Sequence, residues 1–120
     1  MKLLSRVLET LKVSENGKVA SLVVTRKMMA ETGTGHAETD GFVNYARSVE
    51  GVEVAFLARE IDENQYKISY RSKGNANVAS VAQTFGGGGH RNAAGCVIQG
   101  NLQEAVRAAF DAAEKEVRIS

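Results

Sequence analysis

Proline and tryptophan are absent from this chain, cysteine occurs once and histidine twice. A single cysteine, Cys96, excludes an intrachain disulfide, and no Cys/His spacing of the zinc-site kind exists. Charge of one sign is also lacking, with 15 Lys+Arg against 14 Asp+Glu. That balance excludes the strongly basic footprint of a domain that grips long nucleic acid. A small anion needs only a few local cations and stays open as a ligand. No apolar run approaches the roughly 20 residues of a membrane span. The opening "MKLLSRVLETL" carries charges through its apolar pattern, unlike a signal peptide. These absences predict a cytoplasmic protein with no membrane partner. No Asp-His or His-His pair stands at metal-ligand spacing, and no Ser/His/Asp arrangement is evident. The chain offers chemistry for binding an anion but no complete chemistry for cleaving one.

What is present fits one globular domain. The chain has 120 residues, 43% of them apolar and 24% charged, enough to bury its own core. Leu3, Leu4, Val7, Leu8 and Leu11 predict an amphipathic helix over 3–13. Asn16-Gly17 marks a turn, and Lys18–Arg26 reads as a strand apolar on both faces. Lys27–Thr32 suits one or two helical turns, broken by Gly33 and Gly35. Thr39 or Asp40 is expected to cap a short helix with Phe42, Val43 and Ala46 inward, and His36 to lie in a loop. Val52–Glu60 reads as an inner strand, with Val52, Val54 and Phe56 on one face and Ala55 and Leu57 on the other. Tyr66, Ile68 and Tyr70 alternate along a second strand, and the two form a hairpin. Asn77 caps a helix over 78–85 that Gly86 stops. A last strand over 95–100 precedes a long helix capped by Asn101. The fold class is α/β (α+β): a single domain with a mixed β-sheet flanked by helices.

The stretch "FGGGGHRNAAGC", Phe85 to Cys96, carries the most information. Ordering consecutive glycines costs on the order of 1 kcal/mol each relative to alanine. Such a run is either left slack or held for a reason. Gly87, Gly88 and Gly89 lead into His90 and Arg91, two side chains able to donate to a phosphate. Successive N–H groups of such a loop can form an anion-binding nest. Ala93, Ala94 and Gly95 suggest a spot where chains pass close together. No Lys-Ser/Thr follows the glycines, so this is no Walker-type phosphate loop. A plain connecting loop remains the alternative. The second candidate is "YRSKG", where Arg71 offers a planar fork and Ser72 a hydroxyl. If this strand neighbours the last one, Arg71 and His90 can surround one anion. The third is "TDGFVNYARS", in which Asn44, Tyr45 and Arg47 suit contacts to a base or sugar, or a plain surface helix.

"FGGGGHRNAAG" together with "YRSKG" resembles the DHH-associated domain, the C-terminal module of DHH-type phosphoesterases. "DGFVNYARSVEGVEVAFLARE" and "KVSENGKVASLVVTR" look most like the branch of bifunctional oligoribonucleases that also act as pAp phosphatases. That branch is often labelled exopolyphosphatase-related. The resemblance covers essentially residues 1–120. It implies a parent whose DHH domain, absent from this chain, holds two Mn²⁺ ions and performs the hydrolysis. The present domain would then be a substrate-binding half, inactive alone, joined in cis to that catalytic domain and open to homodimerisation. Its ligand would be a short RNA or nucleotide such as 3′-phosphoadenosine 5′-phosphate. Arg71, Ser72, Gly88, Gly89 and His90 would contact phosphate or nucleotide, and Asn44 is carried over as well. The alternatives are a stand-alone nucleic-acid-binding module, as in alanyl-tRNA synthetases, or the same domain in a cyclic-dinucleotide phosphodiesterase or exopolyphosphatase.

Overall fold

The computed structural model describes residues 2–120. Along the chain run α1 (Lys2–Leu8), β1 (Lys12–Val13), β2 (Val19–Val24) and α2 (Arg26–Thr32). A 3-10 turn (His36–Thr39) and α3 (Val43–Arg47) follow, then β3 (Val54–Asp62) and β4 (Gln65–Ser72). The last elements are α4 (Val78–Gln83), β5 (Gly88–His90), β6 (Ala93–Gln99) and α5 (Leu102–Ile119). The strands form one mixed sheet in the order β1-β2-β3-β4-β6-β5. β2 and β3 are parallel, and every other neighbouring pair is antiparallel.

Local signals set most of the elements. Asn101 and Glu104 form a reciprocal capping box on α5, with side-chain to backbone bonds of 2.9 Å in both directions. Asn77 Oδ1 accepts from Ser80 N at the start of α4, and Thr25 Oγ1 accepts from Met28 N at the start of α2. The alternation in β4 puts Tyr66, Ile68 and Tyr70 on the face covered by α4 and α5. There Phe56 packs at 5.5 Å against Tyr70 and edge-on at 5.1 Å against Phe110. The opposite face of β2 and β3 is covered by α1 and α3 through Leu3, Val7, Phe42, Val43 and Ala46, with Met28 and Met29 of α2 packed against them. That second cluster takes nothing from β4, β5 or β6. On that face only α3 reaches as far as β4, and among the described residues no helix packs on β5 or β6 through this cluster.

Four expectations are corrected. The helix foreseen over 3–13 stops at Leu8. Thr10 Oγ1 donates to Val7 O at 2.6 Å and accepts from Val23 N at 2.8 Å, which docks the chain on β2. Lys12–Val13 then become a strand and Leu11 is left exposed. Thr39 does not cap α3, because its buried hydroxyl donates back to His36 O within the 3-10 turn. Asp40 is exposed and makes no cap either; Phe42 occupies that position without a side-chain bond. His36 belongs to the 3-10 turn instead of a loop. Val52 lies before β3 and packs with Ala55 and Leu57, not with Val54 and Phe56, since alternation holds only inside the strand.

Candidate functional site

The glycine run is neither slack nor a curled nest. Gly88–His90 form an edge strand, with Gly88 opposite Gly95, Gly89 opposite Ala94 and His90 opposite Ala93. Each glycine has its own reason. Gly86 adopts φ +81° and ends α4, its N–H reaching Gln83 O. A Cβ on Gly87 would meet Gly95 O at 2.2 Å, and one on Gly89 would meet Ala93 O at 2.7 Å. The small residues of β6 and β5 thus let two backbones close up. A Cβ on Gly88, like one on Gly86, would meet nothing within 4 Å, but Gly88 has no positive φ to require glycine. Its missing side chain leaves room on the uncovered face.

The strand order β4-β6-β5 brings the two motifs together. Arg71 and His90 are both in register with Ala93, one from each side. Register partners project to the same face, so Arg71 and His90 flank Ala93 across two strand spacings of about 4.8 Å. Ser69, Gly95 and Gly88 make the next row on that face. Arg71 is half-buried, and its Nη1 donates to Tyr70 O at 2.8 Å. The ion pairs among the described residues join Arg6 to Glu31, Lys18 to Glu53, and Arg26 to Glu60 and Asp62. None of them uses Arg71, so its charge stays available. His90 is exposed at the sheet edge. Asn44 and Tyr45 are exposed on α3, which packs against β4 as well as β2 and β3.

Ser72 sits differently. It is 4% exposed, its Oγ donates to Ala76 O at 2.9 Å, and it accepts from Asn92 Nδ2 at 2.8 Å. Its hydroxyl ties the end of β4 to the two-residue turn Arg91–Asn92. Arg91 strengthens that tie: Nη2 donates to Asn75 O at 2.7 Å, and its carbonyl accepts from Val78 N at 2.8 Å. The turn that carries His90 into β6 is thereby fixed against the loop before α4. Sequence reasoning does not single out Asn92. The available signal is an Asn in a tight turn between two strands.

Cys96 lies under the floor, on the covered face. Burial pushes its thiol up to about 11, partly offset by the Lys67 ammonium. Burial likewise raises the Tyr70 phenol, whose OH donates to Ala109 O at 2.9 Å. Neither group is ionised near neutrality, so neither repels an anion above the sheet. Among the described residues no three His, Cys, Asp or Glu side chains come together as a metal site, and no helix is long and apolar enough to cross a membrane.

Comparison with known proteins extends this reading. The bifunctional oligoribonuclease and PAP phosphatase NrnA of Thermus thermophilus is 32% identical over 117 residues, covering 97% of this chain and 34% of that protein. An exopolyphosphatase-related protein from Bacteroides fragilis superimposes with a TM-score of 0.85 at 33% identity, over 94% of this chain and 33% of that one. The C-Ala domain of Aquifex aeolicus alanyl-tRNA synthetase shares the fold alone, with a TM-score of 0.58 at 16% identity over 84% of this chain and 96% of that domain. The chain spans about a third of the length of the NrnA protein it matches. The DHHA1 domain matches residues 16–118. With that match running from the first turn almost to the end of α5, the chain belongs to the DHHA1 family.

Proposed function

We propose that this domain is the substrate-holding half of a DHH-type phosphoesterase acting on short oligoribonucleotides and on 3′-phosphoadenosine 5′-phosphate (pAp). The observation that carries the reading is the row Arg71–Ala93–His90 on the uncovered face, with Arg71 free of any carboxylate partner. A guanidinium fork and an imidazole on either side of an alanine form a clamp for one phosphate. Gly88 keeps the approach free of a side chain, while Gly87 and Gly89 let its strand lie close against β6. Arg91 and Ser72 act by holding the clamp's turn in place, and Asn44 stands beside it on α3. The names of the NrnA relative and the exopolyphosphatase-related structure support a phosphate-bearing ligand.

Hydrolysis is assigned to a DHH domain in cis. There, two Mn²⁺ ions would activate water and stabilise charge on the phosphoryl group. What this domain supplies is positioning, which governs how often the bound ester sits in an attack geometry. A near-neutral chain suits a short ligand, because a long backbone is gripped through many cations.

The test is a titration of the 120-residue chain with pAp, followed by backbone amide spectra. Shifts are expected at Gly86–His90 and Arg71, and they are lost in Arg71→Ala. Gly88→Leu is the sharper variant: it has room to fold, yet it fills the floor, so it should abolish the shifts while preserving the melting temperature. Retained binding in both variants would refute the clamp. Tighter binding of a folded tRNA than of pAp would favour a nucleic-acid-binding module instead. Mn²⁺-dependent turnover of a dinucleotide by the pure chain would overturn the division of labour.

A further inference from the structure

The uncovered face does not end at the clamp. Two rows further along β4, Lys67 stands in register with Arg59 of β3 and Val97 of β6. By alternation Arg59, Lys67 and Arg71 share one face, the one that also carries Ser69, Gly95 and His90. Two like charges directly opposite each other destabilise a sheet pair. Here neither one is relieved, because none of the ion pairs among the described residues uses Arg59 or Lys67. Glu60, beside Arg59, is engaged by Arg26, whose backbone N–H donates to it at 2.9 Å. The Lys67 stem also has a direction. A Cβ on Gly95 would lie 3.6 Å from Lys67 Cε, so the side chain lies over that glycine on the floor between the two cation rows. Lys67 is therefore laid along the same surface as the clamp. Only small residues separate them: Ser69, Gly95 and Gly88.

We infer that Lys67, with Arg59 behind it, forms a second phosphate subsite on this face, so that the domain holds a linear phosphodiester of two or more nucleotides. This rests on the clamp reading for the first phosphate. The two cation rows stand four residues apart on β4, about 13 Å at Cα. The Lys67 side chain reaches back only as far as Gly95, in the row between them, so it faces the next stretch of a strand held at the clamp. A short oligonucleotide lying along β4, with its sugars over Ser69 and Gly95, engages both. Arg59 reaches the subsite from the side of α2, where it lines an open depression with Met29, Thr34, His36 and the ion pair of Arg26 and Glu60. An extended chain has space to leave in that direction.

The experiment compares ligands of different length on the 120-residue chain. Affinities for AMP and for 5′-phosphorylated triadenylate are measured over a range of salt concentrations. Lys67→Ala is expected to weaken triadenylate about ten-fold while AMP changes less than about two-fold. The salt slope for triadenylate should fall by about 0.7, the share of one phosphate on a single strand. Lys67→Arg should restore both. Lys67 is exposed, so the fold tolerates these changes. Equal weakening of AMP and triadenylate, or no weakening of either, overturns the subsite. Arg71→Ala weakens both ligands if the clamp reading is right. If Arg71→Ala leaves AMP intact while Lys67→Ala still costs ten-fold on triadenylate, the clamp falls and the subsite stands. If neither ligand binds the unaltered chain, both fall.

Discussion

The two halves of the sheet are built from the same kind of strand but carry different cover. β2 and the first part of β3 are covered on both faces, and all six residues of β2 are buried. β4 and β6 are covered on one face and alternate buried with exposed or half-exposed positions along their length. The covered half has a continuous apolar run in sequence, and the open half has an alternating one. In the open half, most of what alternates with the core residues is cations and small residues, Lys67, Ser69, Arg71, Ala93 and Gly95, with Val97 exposed beside them. The cations and small residues cost little to expose and leave backbone and charge accessible. The ligand face thus begins where the second helical layer stops.

The comparison breaks first in the core that both halves share. Phe56 is fully buried, in contact with the rings of Tyr70 and Phe110. Phe56→Ala should lower stability by about 3–5 kcal/mol, the cost of a large cavity in a close-packed core. Urea unfolding checks this, and a loss below 1 kcal/mol would mean that the covered half is not a tight core. The next largest effect divides the glycine run itself. Gly87→Ala drives a Cβ into the β6 backbone and should cost about 3 kcal/mol, because a carbonyl cannot swing aside as a side chain does. Gly88→Ala meets open space and has no positive φ, so it should stay within about 0.5 kcal/mol of the unaltered chain. Equal losses at both positions would erase the distinction between a glycine that packs and one that leaves a ligand room.

Much of this was readable from local signals. The caps at Asn77 and Asn101, the stop at Gly86 and the alternation from Tyr66 to Tyr70 are all decided within a few residues. The end of α1 is not, because Thr10 bonds to Val23 on another element. Val52 misleads because a period of two holds only where the backbone is already extended. The glycine run hides a strand, since glycine has no intrinsic preference for one. In the site, Arg71 and His90 are legible as phosphate-binding types. Their meeting depends on β6 inserting between β4 and β5, which no local pattern encodes. Nothing in the sequence singles out Lys67 and Arg59, and only the register sets them opposite each other.

Ser72 supplies the smallest of these effects and the finest division between the halves. In sequence it stands next to Arg71 and is read with it as a ligand contact. In space it turns to the other face, because alternation reverses each successive side chain. Its hydroxyl is spent on Ala76 O and Asn92 Nδ2. Ser72→Ala leaves the buried Ala76 carbonyl without its donor and releases the side-chain amide of the exposed Asn92, at a cost of about 1–2 kcal/mol. The melting temperature should fall. Amide exchange should quicken at Ser72 and Val78, whose N–H groups donate to Asn92 O and Arg91 O and so hold the turn. Phosphate affinity should fall only as far as the turn loosens, and most of it should return when the temperature is lowered. A direct ligand contact predicts the reverse: affinity lost at every temperature with stability unchanged.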